Sequence, residues 1–183
     1  IAGGKFELDG KTVVLDQNDS ENCLHGGTEG WQYQVYDAVQ VDDQTLQLTI
    51  VDPDGHMGFP GTVTAVVTYR LTDDNAIDIT YSGTTDKPTV LSMTNHAYFS
   101  LSGNHAVPGT DMVLYVNSDT FTPANDKLIP TGEMRPVEGT PFDFRTPKTI
   151  GQDINQDYDQ LVLGNGYDHN WVLNTAGDIN KLA

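Results

Sequence analysis

The sequence predicts an all-β protein, a large antiparallel β-sandwich, and three observations carry that prediction. Apolar residues recur with period two in several short runs, no long window shows a helical stripe, and 18 Gly and 9 Pro punctuate the chain. Alternation at period two is what a half-buried strand requires, because successive side chains point to opposite faces of a sheet. Short strands separated by turn residues favour packed antiparallel sheets over a helical architecture.

The first clear strand is "TLQLTIV" (45–51), with Leu46, Leu48 and Ile50 on one face and Thr45, Gln47 and Thr49 on the other. "TVTAVVTYRL" (62–71) gathers Val63, Ala65, Val67 and Tyr69 on one face, and "AIDITYSG" (76–83) alternates again. The "TDDN" between these two supplies turn residues, so they pair as a hairpin. Further strands are expected near 89–101, 112–117, 159–163 and 170–174. "PKTIGQDIN" has room for one short turn of helix. Residues 118–149 are rich in Pro and Thr and read as mostly irregular, and irregular stretches of that length often border a site. With no repeat, low-complexity segment or linker, residues 1–183 read as one domain.

Charge narrows the function. The net charge is −17, from 26 acids against 9 bases, and the bases are scattered. A nucleic-acid partner requires clustered Lys and Arg to displace counterions, so no nucleic-acid partner is expected. No apolar run approaches the ~20 residues of a membrane-spanning helix, so no membrane partner is expected either. The opening "IAGGKFELDG" has neither an initiator Met nor the pattern of a signal peptide. One cysteine, Cys23, allows no internal disulfide and fits a reducing, cytoplasmic compartment. A neutral small molecule is the expected ligand. Oligomeric state is open at this level.

Five histidines are available, His25, His56, His96, His105 and His169. No HxH, HExxH or Cys/His spacing is present, so no metal site is expected. No G-x-S-x-G nucleophile elbow or dinucleotide loop is present either. General acid–base chemistry remains, since an imidazole exchanges a proton near neutrality if a substrate oxygen lies within hydrogen-bond reach. His25 sits in "NCLHGG", where two glycines permit a tight turn. His96 sits in "SMTNHAYFSLSG", flanked by Asn95 and Tyr98. His169 follows Asp168 in "GYDHNW". Each of the three, taken alone, reads more readily as a core or turn histidine satisfied by backbone groups. His56 and His105 lie in turn-like stretches, where the structural role weighs more heavily still. Tyr98, Phe99 and Trp171 offer apolar faces to a small ligand or pack into the core, and core is favoured for Phe99.

Taken together and in order, six blocks resemble the aldose 1-epimerase (galactose mutarotase) family. They are "IAGGKFELDGK", "NCLHGG", "DPDGHMGFPG", "TNHAYFSLSG", "LIPTGEMRPVEGTPFDFR" and "GYDHNWVLN". The resemblance implies the galactose mutarotase-like supersandwich and interconversion of the α and β anomers of a free aldose such as galactose or glucose, without a cofactor. It further implies that His96 is the general acid toward the sugar ring oxygen. His25 and Asp168 then bind substrate, Asp168 by accepting hydrogen bonds from hydroxyls. A non-catalytic carbohydrate-binding β-sandwich of the same fold is the alternative. A hexose-phosphate epimerase is disfavoured by the scarcity of bases.

The chain also departs from the family pattern. The family's base is a glutamate in a block beyond "GYDHNW", and neither Glu29 nor Glu133 matches it. An Asn-Arg pair usually precedes the block that begins here at Ile1. The resemblance therefore identifies the chain as an internal segment lacking both ends, inactive alone for want of the base. Ser100 stands where asparagine is usual, and "GNHAVPGTD" replaces a loop that often holds an Asp-His pair. His56 occupies a variable position and receives no role.

Overall fold

The computed structural model describes residues 1–175 and 177, and the chain divides into two compact units, Ile1–His96 and Ala97–Ala183. Strands in antiparallel sheets dominate both, as the alternation predicts.

The first unit opens with a hairpin of β1 (Lys5–Leu8) and β2 (Lys11–Val14). Asp9 and Gly10, at φ 49° and 74°, make its two-residue turn, which matches the twist of the flanking strands. A four-stranded antiparallel sheet follows, in the order β3 (Asp37–Gln40), β4 (Thr45–Asp52), β5 (Val63–Leu71), β6 (Ile77–Thr85). The three alternating runs of the sequence are its three longest strands. The predicted hairpin is β5–β6, with Leu71 opposite Ile77.

Register decides which face of this sheet is apolar. Ile50 of β4 lies opposite Ala65 of β5, Leu48 opposite Val67, and Asp52 opposite Val63. Ile50, Val63 and Ala65 are buried together, with Trp31, Tyr36 and Met93 packed against them. Because residues i and i+2 share a face, Asp52 stands on the same side as Ile50. A carboxylate thus sits at the margin of an apolar floor.

The stretch 89–101 differs from expectation. Residues 88–100 join no strand. Leu91 and Met93 lie instead over Gly83 of β6, where an added Cβ would come within 2.6 Å of Leu91 Cδ2. Leu91 and Met93 therefore lie on the sheet's face, while the backbone of residues 88–100 makes no ladder. Phe99, expected in the core, is 59 % exposed, because no strand alternation turns it inward.

The second unit holds β7 (Val113–Leu114) paired with β10 (Lys148–Thr149), and a sheet in the order β11 (Asn170–Leu173), β8 (Ser118–Thr122), β9 (Arg135–Pro136). The expected strand at 112–117 shrinks to β7, while β8, β9 and β10 fall inside the region read as irregular. Residues 159–163 form helix α1 (Asp159–Gly164), not a strand. A short apolar run does not reveal its period, and here local caps decide. Asn165 adopts the left-handed conformation at φ 52°, and the Gly166 amide closes the turn onto the Leu161 carbonyl. The turn of 3-10 helix at Ile150–Gln152 agrees with expectation.

Aromatic packing forms the core of this unit. Phe121, Val137, Phe142 and Leu161 are buried, with Tyr158, Tyr167 and Trp171 against them. Phe121 and Phe142 stack with ring centroids 4.2 Å apart. The two polar rims find carbonyls: Trp171 Nε1 donates to Phe142 O and Tyr167 OH to Pro141 O, each at 3.0 Å. Burial pushes the Tyr167 hydroxyl up to about 12. Trp171 is thus a core residue. Among the described residues, no helix is long and apolar enough to cross a membrane.

Candidate functional site

His25 is placed by a turn that only its sequence permits. His25, Gly26 and Gly27 all take positive φ, at 51°, 89° and 98°. Glycine adopts this region without steric cost, and two glycines after the histidine let the chain reverse within three residues. Gly27 is also hemmed in, since a Cβ there would lie 3.0 Å from Met57 Cγ and 3.1 Å from Asp16 Oδ2. Gly30 approaches the His25 carbonyl so closely that its Cβ would come to 2.5 Å. The loop 24–30 is therefore a packed turn.

Side chains brace it from both ends. Asn18 Oδ1 accepts the Leu24 amide at 2.8 Å, and Asn18 Nδ2 donates to the Leu24 carbonyl at 3.0 Å. Asp16 Oδ2 accepts both the Thr28 amide (2.7 Å) and the Thr28 hydroxyl (2.6 Å). These two bonds, the hydroxyl's first and the amide's second, hold the Asp16 carboxyl below its ordinary range. The sign follows: a depressed carboxylate contributes its bracing at all pH above its unperturbed value and loses it as pH falls through the depressed one. The Thr28 amide resonance is expected to keep its bonded position down through the ordinary aspartate range and to move only below it. In Asp16→Asn that acid step should vanish, as followed by NMR titration.

His96 arrives from the other side of the unit. Asn95 Nδ2 donates to the Tyr69 hydroxyl of β5 at 2.9 Å, which fixes the chain one residue before it. The result brings together two histidines far apart in sequence: the His25 and His96 rings meet edge to face, centroids 5.3 Å apart and planes at 85°.

Both rings line a cavity of about 840 Å³. Its floor is the apolar face of the sheet, through Val63, Ala65 and Val67, with Trp31, Tyr36 and Met93 around it. A volume of that order suits a small molecule, and apolar walls with few converging polar groups are usual for such sites. Buried Cys23 borders it, and burial is the main cause that raises its thiol pKa. Burial first, then the neighbouring Tyr69 and the charge of Asp52, also raises the Tyr36 hydroxyl.

Two further residues line this cavity without having been singled out for a role from sequence, Asp52 and His56. His56 Nδ1 lies 2.7 Å from Asp52 Oδ1. Their spacing of four across the "DPDGH" turn was the available signal. It becomes a contact only because Gly55 turns left-handed at φ 87° and starts a 3-10 turn at His56.

Asp168 lies in the second unit, exposed and just ahead of β11, with its amide donating to His169 Nδ1 at 3.2 Å. His169 itself is structural. Its ring packs edge-on against Phe121 and Phe142, its Nε2 lies 3.2 Å from Gln160 Oε1, and burial lowers its pKa. His105 is exposed in a turn.

The comparisons agree with one another. The family model described as aldose 1-epimerase matches residues 1–183. An aldose 1-epimerase of Escherichia coli is 40% identical over 183 residues, covering 100% of this chain and 52% of that protein. The human galactose mutarotase is 38% identical over 173 residues, covering 94% of this chain and 48% of that one. The crystal structure of a galactose 1-epimerase from Lactobacillus acidophilus superposes with a TM-score of 0.88 at 33% identity, over 95% of this chain and 52% of that chain. The chain spans about half the length of the curated relatives it matches.

Proposed function

The chain belongs to the aldose 1-epimerase family, and from that premise we propose that the whole protein interconverts the α and β anomers of a free aldose such as galactose or glucose, with His96 as general acid. The observation that carries this reading is the edge-to-face pair of His25 and His96 on one cavity wall.

Opening a hemiacetal needs a proton delivered to the ring oxygen while another leaves the anomeric hydroxyl. The C1–O5 bond breaks, the aldehyde rotates, and closure on its other face returns both protons. His96 supplies the first proton, and His25 holds the sugar beside it by hydrogen bonding. The sheet's apolar floor takes the sugar's C–H face. Asp168 serves as an acceptor for hydroxyls, since a carboxylate takes two such protons in charge-assisted bonds.

The base comes from elsewhere in the whole protein. Among the described residues, Asp52 is the one carboxylate on the cavity wall, and it is engaged by His56. Residues 1–183 alone are accordingly expected to be inactive. No cofactor enters this scheme. The reading carries the cytoplasm as working compartment, supported by the unpaired Cys23.

Polarimetry of freshly dissolved α-galactose with the full-length protein is the test. Equilibration well above the spontaneous rate is expected. Tight sugar binding without acceleration would favour the non-catalytic carbohydrate-binding module.

A further inference from the structure

His56 stands between two carboxylates that belong to different parts of the first unit. Its Nδ1 is 2.7 Å from Asp52 at the end of β4, and its Nε2 is 3.6 Å from Glu29 Oε2. Glu29 sits in the loop 24–30 that carries His25. The imidazole and Asp52 are mostly covered, at 19 % and 12 % side-chain exposure, whereas Glu29 is 68 % exposed. One end of the arrangement is therefore fixed and the other is free to swing.

The same turn grips the loop by uncharged contacts. The Glu29 amide donates to Met57 Sδ at 3.4 Å, Gly27 packs against the Met57 side chain, and the Met57 carbonyl accepts the Asp16 amide at 2.9 Å. Because Gly30 abuts the His25 carbonyl, a shift at Glu29 reaches His25 through close-packed backbone.

We propose that His56 is a positioning residue: its imidazole, anchored on Asp52, clasps Glu29 and so holds the loop that sets His25 in the cavity. The role of the loop in holding sugar rests on the mutarotase reading; the clasp itself does not. His56 touches no reacting atom in this account.

Asp52, Glu29 and Asp37 of β3 border a second hollow together with His56. Asp54, on the same turn, is engaged by Lys87 and by the Gly61 amide, so it does not compete for the imidazole. His25 and His96 share the main cavity with His56.

The test compares His56→Gln, Glu29→Gln and the double variant in the full-length protein, by hydrogen exchange of residues 24–30 at one pH and by kinetics on galactose. A half-exposed ion pair is worth little, so each single change is expected to speed loop exchange by about two- to fivefold. KM should rise by a similar factor with kcat little changed, and the double variant should be no worse than either single one. His56→Lys, which places a positive charge opposite Glu29, should restore part of the protection. Unchanged loop exchange in both single variants, or effects that simply add, would overturn the clasp. If the wild-type protein shows no anomer equilibration, the mutarotase reading fails, and the exchange comparison still decides the clasp.

Discussion

His96→Ala in the full-length protein is expected to slow anomer equilibration by about 10²–10⁴-fold, the usual contribution of one well-placed general acid. Binding should survive better than turnover. In the proposed scheme, ground-state contacts come from His25, Asp168 and the apolar floor, whereas His96 acts as the ring oxygen gains its proton. The expected signature is a fall in kcat with a modest change in KM. His25→Ala should behave in the opposite sense, raising KM more than it lowers kcat. Full activity in His96→Ala would remove the acid assignment outright.

Phe142→Ala is expected to cost about 3–5 kcal/mol of stability in the second unit. The side chain is fully buried, stacks on Phe121, and touches Tyr158, Tyr167 and Trp171. Its backbone carbonyl also receives the Trp171 indole, so cavity formation would loosen a polar anchor as well. Unfolding by denaturant, followed through Trp171 fluorescence, measures the loss. Phe142→Leu should cost less, because it leaves a smaller void. A loss below about 1 kcal/mol for the alanine variant would mean that the cluster collapses onto the gap and is less rigid than its packing implies.

The parts of the fold legible in the sequence are those where one physical rule acts alone. β4, β5 and β6 alternate strictly because one face of their sheet is apolar, and period two reports that directly. Where two rules compete, reading from pattern failed. "DQLVLG" is apolar enough for a strand, but the left-handed cap at Asn165 and the bonds from Gln160 to Ala124 fix it as a helix. The stretch from 88 to 100 has the composition of a strand, yet its backbone joins no ladder, and Leu91 and Met93 lie over Gly83 instead. The β1–β2 hairpin carried a plain signal in Asp9-Gly10, easily passed over inside a longer family block.

The site divides in the same way. His25 and His96 were identifiable because each sits in a distinctive motif, and the fold then places their rings in contact. Nothing in the sequence alone foretells that contact. Asp52 and His56 were missed because their meeting depends on the backbone at Gly55, and a spacing of four means little outside a helix. Several of the scattered bases lie in ion pairs, such as Lys87–Asp54 and Arg135–Asp159.

A free aldose is expected to open and close in the cavity that holds His25 and His96. Exchange spectroscopy on galactose labelled with ¹³C at C1, with the full-length protein added, tests it most directly. Exchange cross-peaks between the α and β anomeric carbons should appear with the wild-type protein and disappear with His96→Ala. No cross-peaks with the wild type, or undiminished ones with His96→Ala, would contradict it.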